Sequence, residues 1–279
     1  MTIYFEKERT CMGIYSKLVS GYPIGDVSPQ DFVNALSSSN PDFGKNLTAI
    51  VLAVIFGLLV YIFPIILTET EKRGPYPLWM HTFYFAADFM GIWVFLDAWK
   101  ATDHFILFLL LAIGEAVWVC METYCLHRAI AYEGALNWKP GTPKSEMIRD
   151  IVFQVIIFYT GLNLLRFELH DSTMWKFWIF TQVLITIAPG LVQEKRGYRE
   201  GNALILHITF ICVALVSFNP WVNMWVCIAP DFFSLSQNTW YYIVGVVCLF
   251  FAIRGLVQYL KLPEKGALLP AGKTKPTLK

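Results

Sequence analysis

Four ionisable residues stand within long apolar stretches of this 279-residue chain. His81 and Asp88 share one stretch, and Glu115 and Glu122 share the next. Each pair is separated by about two turns of an α-helix, so both members face the same side of that helix. Ionisable groups inside a membrane are costly, which makes them candidates for function. A carboxyl group held there favours its neutral form and can give a proton to a substrate.

The position of each group along its stretch gives its depth. At about 1.5 Å of rise per residue, Asp88 and Glu115 each lie roughly 16 Å from the start of a membrane-spanning helix, near the bilayer centre. His81 and Glu122 lie nearer to one surface, and His207 of a later stretch reaches a similar level. We therefore expect two tiers, a deep one with Asp88 and Glu115 and a shallower one with the other three.

A purely structural role is the alternative for each of these groups. Carboxyl and imidazole groups also hold membrane helices together through hydrogen bonds between helices. Spacing along the chain does not decide whether the groups touch across helices. The catalytic reading names Asp88, Glu115, Glu122 and His81 as acid and base residues.

Aromatic residues make up 16% of the chain, and several flank the deep acids. The face of an aromatic ring attracts positive charge, so rings beside a proton donor suit a carbocation. Packing or contact with lipid is the alternative for each ring. The predicted substrate-binding residues are Tyr84, Phe85, Phe89, Trp118 and His207.

The composition predicts a membrane protein. Hydrophobic residues make up 56% of the chain and charged residues only 15%, against roughly 45–50% and 25% in soluble proteins. The net charge is +1 and the charges lie in clusters between apolar runs, which excludes a nucleic-acid partner. We predict an all-α polytopic fold with seven transmembrane helices, at residues 47–67, 78–98, 105–126, 151–169, 177–192, 203–218 and 240–260.

Basic residues in the loops predict the orientation. Most lysines and arginines fall on the side that also holds the C-terminus, which places the C-terminus in the cytoplasm and the N-terminus outside. Three regions follow. Residues 1–46 form an extracytoplasmic segment that could lie at the interface, residues 47–262 form the seven-helix domain, and residues 263–279 form a basic cytoplasmic tail.

Several familiar catalytic motifs are missing from the sequence. It has no aspartate-rich run to bind a diphosphate through magnesium, no HExxH, no GxSxG and no P-loop. Its six cysteines show no CxxC spacing. We therefore expect no metal and no cofactor. The expected partners are a lipophilic small-molecule substrate and membrane lipids.

A short segment after the fifth predicted span resembles a known family. Gly190-Leu191-Val192-Gln193, followed by Arg196-Gly197, Arg199 and Gly201, is similar to a loop of the integral-membrane terpene cyclases of meroterpenoid and indole-diterpene pathways. That family places a glutamate after a tryptophan in the second span and an aspartate in the last. Here Asp88 follows Ala87 and the last span has no acid, so Glu115 or Glu122 would supply the second acid.

Two functions from different classes follow from these features. The first is an intramembrane acid–base enzyme that cyclises a prenylated, terpenoid substrate without a metal. The alternative is a seven-helix receptor or carrier for a hydrophobic ligand or for protons. Transporters usually contain repeats or broken helices, and Pro189-Gly190 is the one suggestive break.

Overall fold

The computed structural model describes residues 25–265 and Leu278, and these residues form helices and loops without a β-strand. Predictions for residues 1–24, 266–277 and 279 lie outside the described residues. The helices are α1 (Pro29–Ala35), α2 (Phe43–Glu71), α3 (Leu78–Ala101), α4 (Ile106–Tyr132), α5 (Gly134–Asn137), α6 (Lys144–Glu168), α7 (Trp178–Arg196), α8 (Leu204–Phe218), α9 (Met224–Ile228), α10 (Pro230–Phe233) and α11 (Thr239–Lys261).

All seven predicted apolar stretches fold as helices, namely α2, α3, α4, α6, α7, α8 and α11. By length and apolar composition, α2, α4, α6 and α11 could cross a membrane, and α8 is a shorter apolar helix. Helices α3 and α7 are not among these candidate spans. Length and composition therefore identify four candidate spans rather than seven.

Residues with restricted backbone geometry or capping side chains mark the helix ends. Pro77 and Pro143 are extended and precede α3 and α6. Gly197 ends α7 at a φ of 75°, a left-handed conformation that glycine adopts at little cost. Asn223 and Asn238 cap α9 and α11 by accepting hydrogen bonds from backbone N–H groups.

The long helices pack in two groups that share a central cavity. Helix α3 packs along α4 and α6, while α8 packs against α2, α7 and α11. Helices α7 and α11 cross closely at Gly190 and Gly255, where a Cβ atom on Gly190 would lie 3.1 Å from the Gly255 Cα. Helix α7 contains Pro189 and Gly190 and continues to Arg196, so the helix does not end at the suggestive break.

A layer of short elements covers one end of the helices. Phe32 of α1 packs on Phe108 of α4 and on Trp175 of the loop before α7, with ring centroids 5.1 and 4.7 Å away. Trp225 of α9 donates a hydrogen bond from Nε1 to the Trp175 carbonyl at 2.9 Å.

The outer faces of the long helices are apolar, as Ile157, Phe167, Val246 and Phe250 illustrate. Such faces suit contact with lipid.

Candidate active site

A cavity of about 140 Å³ lies between the long helices. Its walls come from α2, α3, α4, α7 and α8, and Phe32 of α1 and Met224 of α9 lie at one end. An engineered cavity of about 150 Å³ in another protein binds benzene. This central cavity therefore has room for one small apolar group.

Two buried carboxyl groups line the central cavity. Asp88 of α3 and Glu115 of α4 are only 3% and 4% exposed, and each carboxyl interacts with the other. Gly91, one turn beyond Asp88, permits this approach. A Cβ atom at Gly91 would lie 3.0 Å from the Glu115 Cγ and 3.2 Å from a ring carbon of Trp178. The structure thus brings together the two acids of the predicted deep tier.

Polar atoms on the cavity wall lack partners within the described part of the chain. Glu115 Oε2 and Trp118 Nε1 are buried there without a hydrogen bond, and Trp175 Nε1 is in the same state toward the other end. A buried polar atom without a partner costs about 1–3 kcal/mol. A bound molecule that offers an oxygen atom would remove that cost.

The shallower tier is also formed, although without His207. His81 Nδ1 and Glu122 Oε2 are 2.6 Å apart, and both side chains are buried. Glu122 lines the central cavity, while His81 lies behind it. Cys125 lies one turn from Glu122, and the ligand atoms of the three residues lie within 4.8 Å of one another, so they could hold a metal ion. The sequence motifs did not indicate this cluster.

Tyr61 of α2 is a site residue that the sequence reasoning missed. Its hydroxyl donates to Asp88 Oδ2 at 3.4 Å, and Tyr61 lines the cavity together with Glu122, so it lies between the two tiers. A depth signal was available. Tyr61 and Asp88 each lie ten residues from the helix end that borders the α2–α3 loop, at Glu71 and Leu78. Two side chains at one depth are candidates for contact.

The predicted aromatic residues divide into two groups. Tyr84 and Trp118 line the cavity, and Tyr84 donates to the Thr181 carbonyl at 2.7 Å. Phe85 and Phe89 are not among the lining residues and stack on each other at 6.2 Å. Other aromatic residues complete the wall: Phe56, Tyr61, Tyr76, Phe95 and Trp178.

Amide and hydroxyl groups beyond Glu115 also escaped the sequence reasoning. Gln182 of α7 and Ser217 of α8 line the cavity, and Ser217 Oγ donates to Gln182 Oε1 at 3.3 Å. Isolated glutamines and serines in apolar helices give little signal, because each alone also fits a hydrogen bond between helices.

His207 belongs to a different cluster. Its Nε2 lies 2.6 Å from Gln193 Oε1, which also accepts from Asn202 Nδ2 at 2.9 Å. Nearby, Gly201 N–H donates to Glu71 Oε2 at 2.7 Å, and Arg199 donates to the Tyr259 carbonyl at 2.9 Å. The segment that resembles the terpene-cyclase loop thus ties the ends of α2, α7, α8 and α11 together.

Comparisons of the sequence with protein-family models and curated proteins, and of the fold with solved structures, found no match.

Proposed function

We propose that the protein is an integral-membrane, seven-helix enzyme that uses carboxyl groups, without a metal, to cyclise the end of a prenylated substrate. The observation that carries the proposal is that Asp88 and Glu115 line one cavity. Beside them, the buried Glu115 Oε2 and Trp118 Nε1 have no hydrogen-bond partner among the described residues. The four apolar helices α2, α4, α6 and α11 span the bilayer, and α3, α7 and α8 cross it inside the bundle.

Glu115 is the better candidate for the donor. Asp88 already accepts a hydrogen bond from Tyr61, whereas Glu115 Oε2 is buried without a hydrogen-bond partner in the described chain, and Glu115 lines the cavity. Burial and a neighbouring carboxyl both favour a neutral acid. In the proposed reaction, Glu115 gives its proton to an epoxide oxygen or an olefin carbon of the substrate.

The electrons then move within the substrate. The C–O bond or the double bond opens, a second double bond attacks the cation, and a new C–C bond closes the ring. The faces of Tyr84, Trp118 and Trp178 stabilise the positive charge. A C–H bond then gives its proton to Glu122, which His81 supports. The product is an isomer of the substrate, and the enzyme has gained and lost one proton.

The size of the cavity limits what it can hold. A space that fits a benzene-sized group holds the reacting end of a prenyl chain but not a whole terpenoid. Val54 of α2 lines the cavity and is also 38% exposed on the outer surface. The rest of the chain can therefore extend past Val54 toward the lipid.

The second candidate is a receptor or carrier, which the same unpartnered atoms support. Glu115 Oε2 and Trp118 Nε1 could fix the polar group of a hydrophobic ligand without reacting with it. The two functions differ in whether the ligand leaves changed.

The test is to incubate the purified protein with farnesyl- and geranylgeranyl-substituted phenols and with their terminal epoxides. We expect a product of unchanged mass and altered chromatographic retention, and we expect its formation to survive dialysis against EDTA. Mass spectrometry of endogenous lipid bound to the same preparation identifies further substrates. A probe that binds but is always recovered unchanged would favour the receptor or carrier. Loss of turnover in EDTA, restored by zinc, would contradict the metal-free mechanism and implicate His81, Glu122 and Cys125.

A further inference from the structure

The hydroxyl of Tyr61 lies between the two tiers of ionisable groups. It donates to Asp88 Oδ2 at 3.4 Å, and Glu122 Oε2 lies 2.6 Å from His81 Nδ1. Tyr61, Glu122, Asp88 and Glu115 line the same cavity. These groups form a polar series from His81 to Glu115, which the two hydrogen bonds begin and continue.

Neighbouring hydroxyl groups do not offer the same connection. Tyr76 donates to the Val60 carbonyl at 2.6 Å, and Tyr84 donates to the Thr181 carbonyl at 2.7 Å. A backbone carbonyl accepts a hydrogen bond but cannot pass a proton on. Among these three cavity tyrosines, Tyr61 alone donates its hydrogen bond to a carboxyl group.

The series extends along α3 from the middle of the helix toward its first turn. His81 and Asp88 are separated by about 10 Å along α3, at about 1.5 Å per residue. His81 lies near the end of the bundle where Glu133 accepts a hydrogen bond from Gly74 N–H at 2.7 Å, and the Glu133 charge acts on His81. The series thus leads from the membrane centre toward the loop between α2 and α3.

We propose that Tyr61 is a proton-relay residue that connects His81 and Glu122 to Asp88 and Glu115. Glu122 gives a proton to the Tyr61 oxygen while Tyr61 gives its own proton to Asp88 Oδ2, so the hydroxyl is restored in the same step. Asp88 gives the proton on its other oxygen to Glu115, and Glu122 is left as a carboxylate beside His81, ready to accept the next proton. This relay depends on the proposed function, because it returns the proton that cyclisation releases to Glu122 back to the donor.

The relay can be tested without a substrate. The full-length protein, reconstituted in phosphatidylcholine bilayers, is moved from H₂O to D₂O while infrared spectroscopy follows the carboxylic-acid C=O bands. Asp88→Asn and Glu115→Gln assign the bands by removing them. Tyr61→Phe keeps the ring and removes the hydroxyl, and Tyr84→Phe is the matched control, since its hydroxyl meets only a backbone carbonyl.

We expect exchange of the assigned bands to slow by roughly tenfold or more in Tyr61→Phe, because one proton-transfer partner is missing. His81→Gln, which breaks the far end of the series, should slow it as well. Tyr84→Phe should exchange at the wild-type rate.

Wild-type exchange in Tyr61→Phe would overturn the relay, and so would equal slowing in both tyrosine variants. If Asp88→Asn and Glu115→Gln remove no acid band, there is no proton to relay and the neutral-donor role also fails. A Tyr61-dependent exchange in a protein that converts none of the prenylated probes would contradict the proposed cyclisation and leave the relay standing.

Discussion

At the scale of single residues, Asp88 and Glu115 differ by their burial from Asp97, an exposed acid near the end of α3. Asp88 is 3% exposed, whereas the side chain of Asp97 is 82% exposed. An acid that donates a proton must lose its function when an amide replaces it, because the amide keeps the shape but has no acidic proton.

Asp88→Asn and Glu115→Gln should therefore each lower turnover of a prenylated probe by roughly 10²- to 10⁴-fold. If a carboxyl group is purely structural, its replacement should instead lower stability by about 0.6 kcal/mol on average and leave turnover intact. Product formation and thermal unfolding are measured on the same preparations, with Asp97→Asn as the matched control. Full turnover by both amide variants would show that these carboxyl groups are structural.

Asp171 is a buried acid outside the long helices, in the loop before α7. Its two oxygens accept hydrogen bonds from the Lys176 and Phe177 N–H groups at 3.2 and 2.7 Å. Burial raises the pKa of Asp171 from 3.8 to about 6, although these bonds and the Lys176 charge oppose the rise, and Asp26 adds to it.

Because the pKa of Asp171 is higher in the folded state, its stabilising contribution is complete below about pH 4 and is lost as the pH rises through about 6. The loss is at most about 3 kcal/mol, at roughly 1.4 kcal/mol per pKa unit. As the pH rises from about 4 to about 6, the melting temperature of the wild type should decrease relative to that of Asp171→Asn. A difference in melting temperature that stays constant from pH 4 to pH 7 would contradict this assignment.

At the scale of helices, depth was predictable but rotation was not. The apolar stretches located all seven long helices, and counting residues placed Asp88 opposite Glu115 and His81 opposite Glu122. Tyr84 and Phe85 are neighbours in sequence, yet about 100° of helical rotation separates them, and only Tyr84 lines the cavity. His207 has the predicted depth but lies on α8 beside Gln193. Side-chain depth follows from the sequence, whereas lateral position depends on which helices pack together.

Helix α3 packs closely on α4 at Gly91 because glycine has no side chain. A Cβ atom there would lie 3.0 and 3.1 Å from Glu115 carbons, so Gly91→Ala should displace the carboxyl group. We expect turnover to fall by roughly tenfold or more, since small misplacements of a catalytic group are costly.

Gly161→Ala in α6 is the matched control, because nothing lies within 4 Å of its Cβ position. That variant should keep full turnover and gain up to about 1 kcal/mol of helix stability. Equal activity in both alanine variants would show that the contact between Gly91 and Glu115 does not position the acid.

At the scale of the whole molecule, charge in the loops predicts how the bundle sits in the membrane. The stretch 221–238 contains no lysine or arginine, whereas the chain from Pro263 onward is rich in lysine. Basic residues are retained on the cytoplasmic side, so the stretch 221–238 should face outward and the tail should face the cytoplasm.

Cysteine labelling in intact cells measures this directly. Single cysteines at Ser236 and at Glu264 are introduced into a chain in which alanine replaces all six native cysteines. A membrane-impermeant maleimide should label the cysteine at position 236 in intact cells and the one at 264 only after the membrane is opened.

Asp88 lies about 15 Å from the α3 end that borders the α2–α3 loop. With that loop on the cytoplasmic side, the His81 end of the Tyr61 series would exchange protons with the cytoplasm. The reverse labelling pattern would invert the bundle and place the His81 end of the series outside.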